Sequence, residues 1–185
     1  MARIPIFDLD GTLVDSDAAL VAPFLALGVP SDEITFGHVL EDECDRLGIE
    51  LTDYLDLYDV AAAQPFPDVH ELLAQLDVWG VCSNKHPAAG QSELARLGWQ
   101  PDAALFSDAF EGAKHLAPAI DALGVTPDDV VFVGDTSHDR QVARNVGVPF
   151  GLAAWNPRAV VDDHDVVLAS PLDVLAFCSG VVSRS

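Results

Sequence analysis

Positive charge is scarce in this sequence. Two lysines, Lys85 and Lys114, and seven arginines stand against 30 acids, for a formal net charge of −21. A surface of that sign repels phosphate backbones and anionic lipid, so no nucleic acid and no membrane is expected as a partner. Cysteine is sparse too: Cys44, Cys82 and Cys178 lie far apart and form no CxxC pair. That excludes a disulfide framework and a cysteine zinc site, and fits a reduced cytoplasm. No apolar run reaches the length of a membrane span and no signal-like apolar region precedes Ile6, so a soluble, cytoplasmic protein is expected. Internal repeats and low-complexity stretches are absent.

What remains is ample for one buried core. Half of the 185 residues are apolar and 21% are charged, which suits a single α/β unit with a small insertion. Short apolar runs predict strands at Arg3–Phe7, Val78–Cys82, Ala104–Phe106, Val130–Val133, Phe150–Ala153 and Val166–Leu168. Helical patterns between the later ones (Leu116, Ile120 and Leu123 before Gly124; Asp139–Asn145 before Gly147; Pro171–Phe177) imply a Rossmann-like, mostly parallel sheet. Residues 16–63 break this alternation with three helical patterns and no strand. Ser16 is expected to cap a helix through Leu20, Phe24 and Leu27, kinked or split at Pro23. Ser31 is expected to cap one carrying Phe36, Leu40, Cys44 and Leu47 up to Gly48, and Thr52 one carrying Tyr54, Leu57, Tyr58 and Ala61. Gln64–Val69, with two prolines, reads as a hinge. The expected organisation is therefore a core of residues 1–15 and 64–185 with an all-helical cap of residues 16–63.

Ligands of open α/β sheets bind beyond the carboxyl ends of the strands. There the chain sets Asp8 and Asp10, then Ser83, Asn84 and Lys85, then Lys114, and finally Asp135 and Asp139 within "GDTSHD". Hard carboxylate oxygens suit Mg²⁺, which often bridges to phosphate. An aspartate such as Asp8 can attack phosphorus if a metal and a lysine offset the charge repulsion. Asp10, two residues along an extended backbone, returns to the same side, where it can protonate a leaving oxygen and later activate water. Gly11 and Thr12 let the chain turn sharply beneath these groups.

"FDLDGTLVDS", the strand ending in Ser83, Lys114 and "VGDTSHD" resemble the four motifs of the haloacid dehalogenase superfamily. "PFPDV" and "SNK" are similar to its phosphoglycolate-phosphatase-like group with a small helical cap. The resemblance implies a Mg²⁺-dependent phosphatase acting on a small phosphorylated metabolite through an aspartyl-phosphate. It implies Asp8 as nucleophile and metal ligand, and Asp10 as acid/base offering its backbone carbonyl to the metal. Ser83 would donate to phosphate, with Asn84 and Lys85 beside it. Asp135 would be the second carboxylate on the metal, and Asp139 would hold a metal-bound water or orient the lysine. The residue after Lys114 is not the usual proline, so Lys85 remains the alternative motif lysine.

Each site residue has a bland counterpart: a turn for an isolated DxD, a helix cap for Ser83, a surface position for Lys114. Their joint placement after successive strands favours the site. His138 is read as a helix-start residue, the other histidines as surface or capping groups, Trp79, Trp99 and Trp155 as core or rim, and Cys82 as packed inside its strand. A sugar-phosphate mutase shares every motif and stays open, as does a phospho-ligand-binding protein without catalysis. A receiver domain needs neither Asp10 nor a cap, a dehalogenase has no use for Asp10 or Mg²⁺, and a phosphonate-cleaving relative needs a cap lysine. Residues 16–63 contain none. With Asp15 just before it, that segment holds twelve acids against one base, Arg46. Arg46 or Lys85 alone is expected to be able to clasp a second anion, so the non-phosphate part of the substrate is expected to be small and neutral or weakly cationic.

Overall fold

Strand β1 (Ile4–Phe7) sits at the centre of the molecule because its side chains serve both faces: Ile6 enters one apolar cluster and Phe7 the other. A computed structural model describes residues 2–35, 39–112 and 114–181. After β1 come β4 (Gly80–Cys82), β5 (Ala103–Leu105), β6 (Val130–Gly134), β7 (Phe150–Ala153) and β8 (Val166–Leu168), and every pairing among these strands is parallel. Their spatial order is β5-β4-β1-β6-β7-β8. The first strand thus pairs on either side with the second and the fourth, and the order reverses between β1 and β6, where doubly wound sheets bind ligands. All five residues of β6 are buried, as a strand covered on both faces requires.

Helices cover the two faces. On one face lie α4 (Val69–Leu73), α5 (Pro87–Leu97) and α8 (Asp173–Cys178), which contribute Leu72, Leu94 and Phe177 to the cluster around Phe7 and Val81. On the other, α6 (Ala117–Leu123) and α7 (Ser137–Val146) pack Ile120 and Val142 against Ile6 and Phe132. Gly124 and Gly147 end these two helices in the left-handed conformation, at φ 69° and 74°. The predicted strands are all present, with ends shifted by up to two residues. The short Gln75–Lys85 stretch is accommodated because α4 is only five residues long. Neither α4 nor α5 was anticipated.

The insertion is closed at its base by a two-residue antiparallel pair, β2 (Val14–Asp15) against β3 (Gln64–Pro65). Helices α1 (Asp17–Ala26), α2 (Leu40–Leu47) and α3 (Leu51–Leu57) follow β2 and form a small cluster of their own around Phe24, Val29, Cys44 and Tyr54. Phe24 and Tyr54 meet with ring centroids 4.6 Å apart, and the Tyr54 hydroxyl donates to the Leu20 carbonyl at 2.9 Å.

Four sequence expectations fail in this region. Pro23 does not split α1, because it removes only its own amide while Leu27 N still donates to the Pro23 carbonyl. Ser16 occupies the N-cap position but makes no side-chain capping bond; its backbone (φ −112°, ψ 0°) is not the extended conformation that aims a capping hydroxyl. Helix α2 starts at Leu40 after an extended Val39, so Ser31 lies in a separate turn, and Thr52 is inside α3, which begins after Glu50. Gly48 does terminate α2, at φ 68°. Phe36 and His38 lie outside the described residues. The Gln64–Val69 hinge resolves into β3 and a turn in which Asp68 takes φ 66°. The three cysteines are buried and unpaired, and no helix among the described residues is long and apolar enough to cross a membrane.

Gly90 joins α5 to the sheet at close range: a Cβ there would lie 2.2 Å from Phe106 Cε1. Alanine is favoured over glycine in a helix by about 1 kcal/mol, but overpacking a buried ring costs about 1–3 kcal/mol. Gly90→Ala is therefore expected to lower stability in urea or thermal melts. A gain would mean that the Phe106 ring yields.

Candidate active site

Asp8 follows β1 directly, and its amide donates to the Val133 carbonyl of β6 at 2.9 Å. This bond ties the end of β1 to the end of β6, so Asp8 and Asp135 emerge side by side. Past Asp8 the chain turns on Leu9, whose carbonyl accepts from the amides of Thr12, Leu13 and Val14. Gly11 makes that turn with φ 75°, and a Cβ there would sit 2.4 Å from an Asp135 carboxylate oxygen. Only glycine lets the backbone pass so close to Asp135.

Between Asp8 and Asp139 stands Lys114, whose Nζ donates to them at 3.0 and 2.6 Å. All three groups are buried. Asp139 is held from its other oxygen by a capping box at the start of α7: Thr136 donates to it from its amide at 3.1 Å and from its hydroxyl at 2.5 Å. Asp139 is thus placed within reach of Lys114, where one of its two expected roles would have it. Between the two candidate lysines, Lys114 is the one against Asp8. Lys85 instead donates to Asp10 at 2.7 Å, Tyr58 Oη at 2.9 Å and Glu93 at 3.0 Å.

The electrostatics follow from burial. Desolvation pushes the Asp8 carboxyl up to about 6, with Lys114 opposing and Asp139 and Asp10 adding to the rise. Desolvation and the neighbouring Asp8 and Asp139 push Asp135 up to about 7. Burial also works against the charge on Lys114, but Asp139 and Asp8 outweigh it and raise its pKa. Burial raises the Cys82 thiol far above the nucleophilic range.

Carboxylate oxygens of Asp8, Asp135 and Asp139 lie within 4.8 Å of one another. This is a hard-oxygen set crowded with like charge and served by one lysine, which suits a small hard cation such as Mg²⁺. His138, the second residue of α7, lines the cavity but is not in that group.

Ser83 and Asn84, which follow β4, line the same cavity, a cleft of about 130 Å³ between the strand ends and the helical insertion. Ser83 is buried, and its Oγ accepts from the Lys85 amide at 3.3 Å. Every predicted site residue except Asp139 lines this cleft, and Asp139 lies directly behind Lys114.

Four contributors escaped the sequence reading. Asn156 donates through Nδ2 to the Gly11 carbonyl and to Asp135, both at 2.9 Å. It follows β7, and reading past the fifth strand as past the first four would have found it. Arg158, on the same loop, lines the cleft and pairs with Asp17. Tyr58 and Glu93 surround Lys85; their convergence joins the insertion to α5 and has no local sequence signal. Arg46 does not line the cleft. It is turned onto Glu43, at 2.7 and 2.8 Å, so the expectation that only Arg46 or Lys85 could clasp a second anion is corrected: the further cation at the cleft is Arg158. Among the histidines, His86 caps α5 and His70 accepts from Trp99 Nε1 at 3.0 Å.

Acids and a lysine gathered at the strand ends of a parallel sheet define a hydrolase of the α/β class, and residues 5–153 match the family model of the haloacid dehalogenase-like hydrolases. The chain belongs to that family. Its curated relatives include phosphoglycolate phosphatase of Xylella fastidiosa, 30% identical over 87% of this chain and 84% of that one. Another is N-acetylmuramic acid 6-phosphate phosphatase of Pseudomonas aeruginosa, 27% identical over 91% and 93%. A solved haloacid dehalogenase-like hydrolase of Streptococcus pneumoniae superposes with TM-score 0.72 at 25% identity, over 95% of this chain and 98% of the other. An L-2-haloacid dehalogenase shares the fold, with TM-score 0.67 at 21% identity over 96% and 99%. Within the family the chain is a phosphatase, a phosphoric monoester hydrolase.

Asn156 positions a carboxylate of the acidic group, and loss of such a partner typically costs 10–100-fold. Asn156→Ala is expected to melt near the wild-type temperature while hydrolysing 4-nitrophenyl phosphate about 10–100-fold more slowly. Unchanged activity would show that Thr12, 3.4 Å from Asp135, suffices to hold it.

Proposed function

We propose that the chain hydrolyses a small phosphomonoester by way of an aspartyl-phosphate on Asp8, with Mg²⁺ held by Asp8, Asp135 and the Asp10 backbone carbonyl. The observation that carries this reading is Lys114 wedged between Asp8 and Asp139 beside Asp135, at the point where the strand order reverses. Bound there, Mg²⁺ supplies positive charge that offsets repulsion between the Asp8 carboxylate and a phosphate dianion. Asp139 orients Lys114, and its remaining role toward a metal-bound water is part of the same proposal.

In the first half-reaction an Asp8 oxygen forms a bond to phosphorus, the ester P–O bond breaks, and the Asp10 carboxyl gives its proton to the departing oxygen. In the second, the Asp10 carboxylate takes a proton from water, whose oxygen bonds to phosphorus as the Asp8 O–P bond breaks, releasing inorganic phosphate. Lys114 balances the phosphoryl charge, and Ser83 with the Asn84 and Lys85 segment holds the phosphoryl oxygens. Residues 1–15 and 64–185 act as the catalytic core and residues 16–63 as the cap over the leaving group. The three unpaired buried cysteines support placing this reaction in the reducing cytoplasm.

Two variants separate the roles. Asp8→Asn is nearly isosteric but a poor nucleophile, so it is expected to abolish turnover with the fold intact; substantial residual activity would falsify the covalent mechanism. Asp10→Asn is expected to lose on the order of 10²–10⁴-fold in rate and to accumulate phosphoenzyme. EDTA is expected to stop the reaction and added Mg²⁺ to restore it. A sugar-phosphate mutase would interconvert isomers with little inorganic phosphate released, so assaying both products of one incubation tells the two apart.

A further inference from the structure

We propose that the leaving-group end of the cleft selects a phosphomonoester of an uncharged, partly apolar alcohol and discriminates against a second anion such as a substrate carboxylate. This rests on the phosphatase reading above and names the substrate class of that site.

The wall supplied by the insertion is mainly apolar. Leu20, Phe24, Ile34, Leu40 and Tyr54 line it, and the Tyr54 hydroxyl is directed at the Leu20 carbonyl, leaving its ring to the cleft wall. The charged side chains on this wall are both acids, Asp17 and Glu43. Glu43 is only 4% exposed. Hydrogen bonds from Arg46, against the cost of burial and helped by Thr35, hold its carboxyl down at about 2. Glu43 therefore stays ionised with its charge matched by Arg46, and the wall has no cation to spare for a leaving group.

A substrate carboxylate would need a cation with donors to offer. Among the described residues, the lysines and arginines lining the cleft are Lys85, Lys114 and Arg158; both lysines are buried against carboxylates of the protein, and Arg158 stands at the rim beside Asp17. An ammonium has three donors, and Lys85 aims its three at Asp10, Tyr58 and Glu93. Lys114 uses two on Asp8 and Asp139, and its third serves the phosphoryl group in the proposed reaction. Arg158 pairs with Asp17. Arg46, the one base of the insertion, is turned onto Glu43 and the Glu33 carbonyl. A second anion would have to share Arg158 with Asp17, whereas a hydroxyl could donate to Asp17 and an apolar carbon could lie on Phe24 and Leu40.

The test is a pair of substrates that differ only in this group: phosphoglycolate and 2-hydroxyethyl phosphate, with Mg²⁺ present. Like-charge juxtaposition across a site is strongly unfavourable, so kcat/KM is expected to favour 2-hydroxyethyl phosphate by at least about tenfold. Asp17→Asn and Glu43→Gln each remove one negative charge from the wall and are expected to shift the ratio toward phosphoglycolate by several-fold. Glu43 is buried, so Asp17→Asn carries the test if Glu43→Gln fails to fold. Equal or better use of phosphoglycolate by the wild type, or a ratio unmoved in the folded variants, overturns the inference. Hydrolysis of 4-nitrophenyl phosphate is read in parallel: if it proceeds while phosphoglycolate is preferred, charge selection alone falls. If it does not proceed, the phosphatase reading and this inference fall together.

Discussion

One buried cation holds the site together. Lys114 is 5% exposed and lies within hydrogen-bonding distance of Asp8 and Asp139, with Asp135 beside them. Removing one partner from such a buried group typically costs about 3–5 kcal/mol, because the remaining charges are left uncompensated. The backbone creates this concentration of charge: the Asp8 amide is bound to the Val133 carbonyl, and the parallel register pairs Phe7 with Val133. Two acidic strand ends must then emerge together. Lys114, on the loop before α6, is the group that makes the juxtaposition tolerable, and a metal ion would complete the balance. Burial, with the neighbouring carboxylates adding to it, raises the Asp8 and Asp135 carboxyls to about 6 and about 7 despite Lys114.

The core was legible in the sequence because its signals are local and redundant. Each strand is a short apolar run, each of α6 and α7 ends at a glycine in the left-handed conformation, and the acids stand immediately after strands. Position after a strand is also what made Asp8, Asp10, Ser83, Lys114 and Asp135 readable, since in a parallel sheet that position means one edge. The insertion was less legible. Ser31 and Thr52 have the right chemistry for capping, yet α2 and α3 start after Val39 and Glu50 in extended backbone. Packing around Phe24, Cys44 and Tyr54 set those starts, and tertiary packing routinely overrides a local preference. Pairings across long separations were invisible for the same reason: nothing near Lys85 announces Tyr58 or Glu93, whereas the i,i+3 spacing of Glu43 and Arg46 on α2 did signal that Arg46 is occupied.

The scarcity of lysine takes on meaning in the folded chain. Both lysines are buried at the one edge where acids converge, Lys114 against Asp8 and Lys85 against Asp10. The surface carries its large negative charge without them, which favours solubility and sets acids repelling one another. The lysines are therefore spent where a low dielectric makes each positive charge count most.

Lys85 also links the two parts of the chain. Its ammonium joins Asp10 of the strand edge to Glu93 of α5 and to Tyr58, at the end of α3 in the insertion. Glu93 is fully buried, so this group of four depends on being complete: an unmatched carboxylate there would face the full penalty of desolvation. Tyr58 brings a neutral hydroxyl where a further charge would unbalance the set. The insertion is thus seated on the core by a bond to the lysine that also holds Asp10, and the residue proposed to move the proton shares that lysine with Tyr58 of the insertion. Any displacement of α3 large enough to withdraw Tyr58 leaves Lys85 one acceptor short and alters the surroundings of Asp10. The seat of the insertion and the surroundings of Asp10 are, in this fold, parts of one small cluster of contacts, so the position of α3 and the environment of that carboxylate are set together.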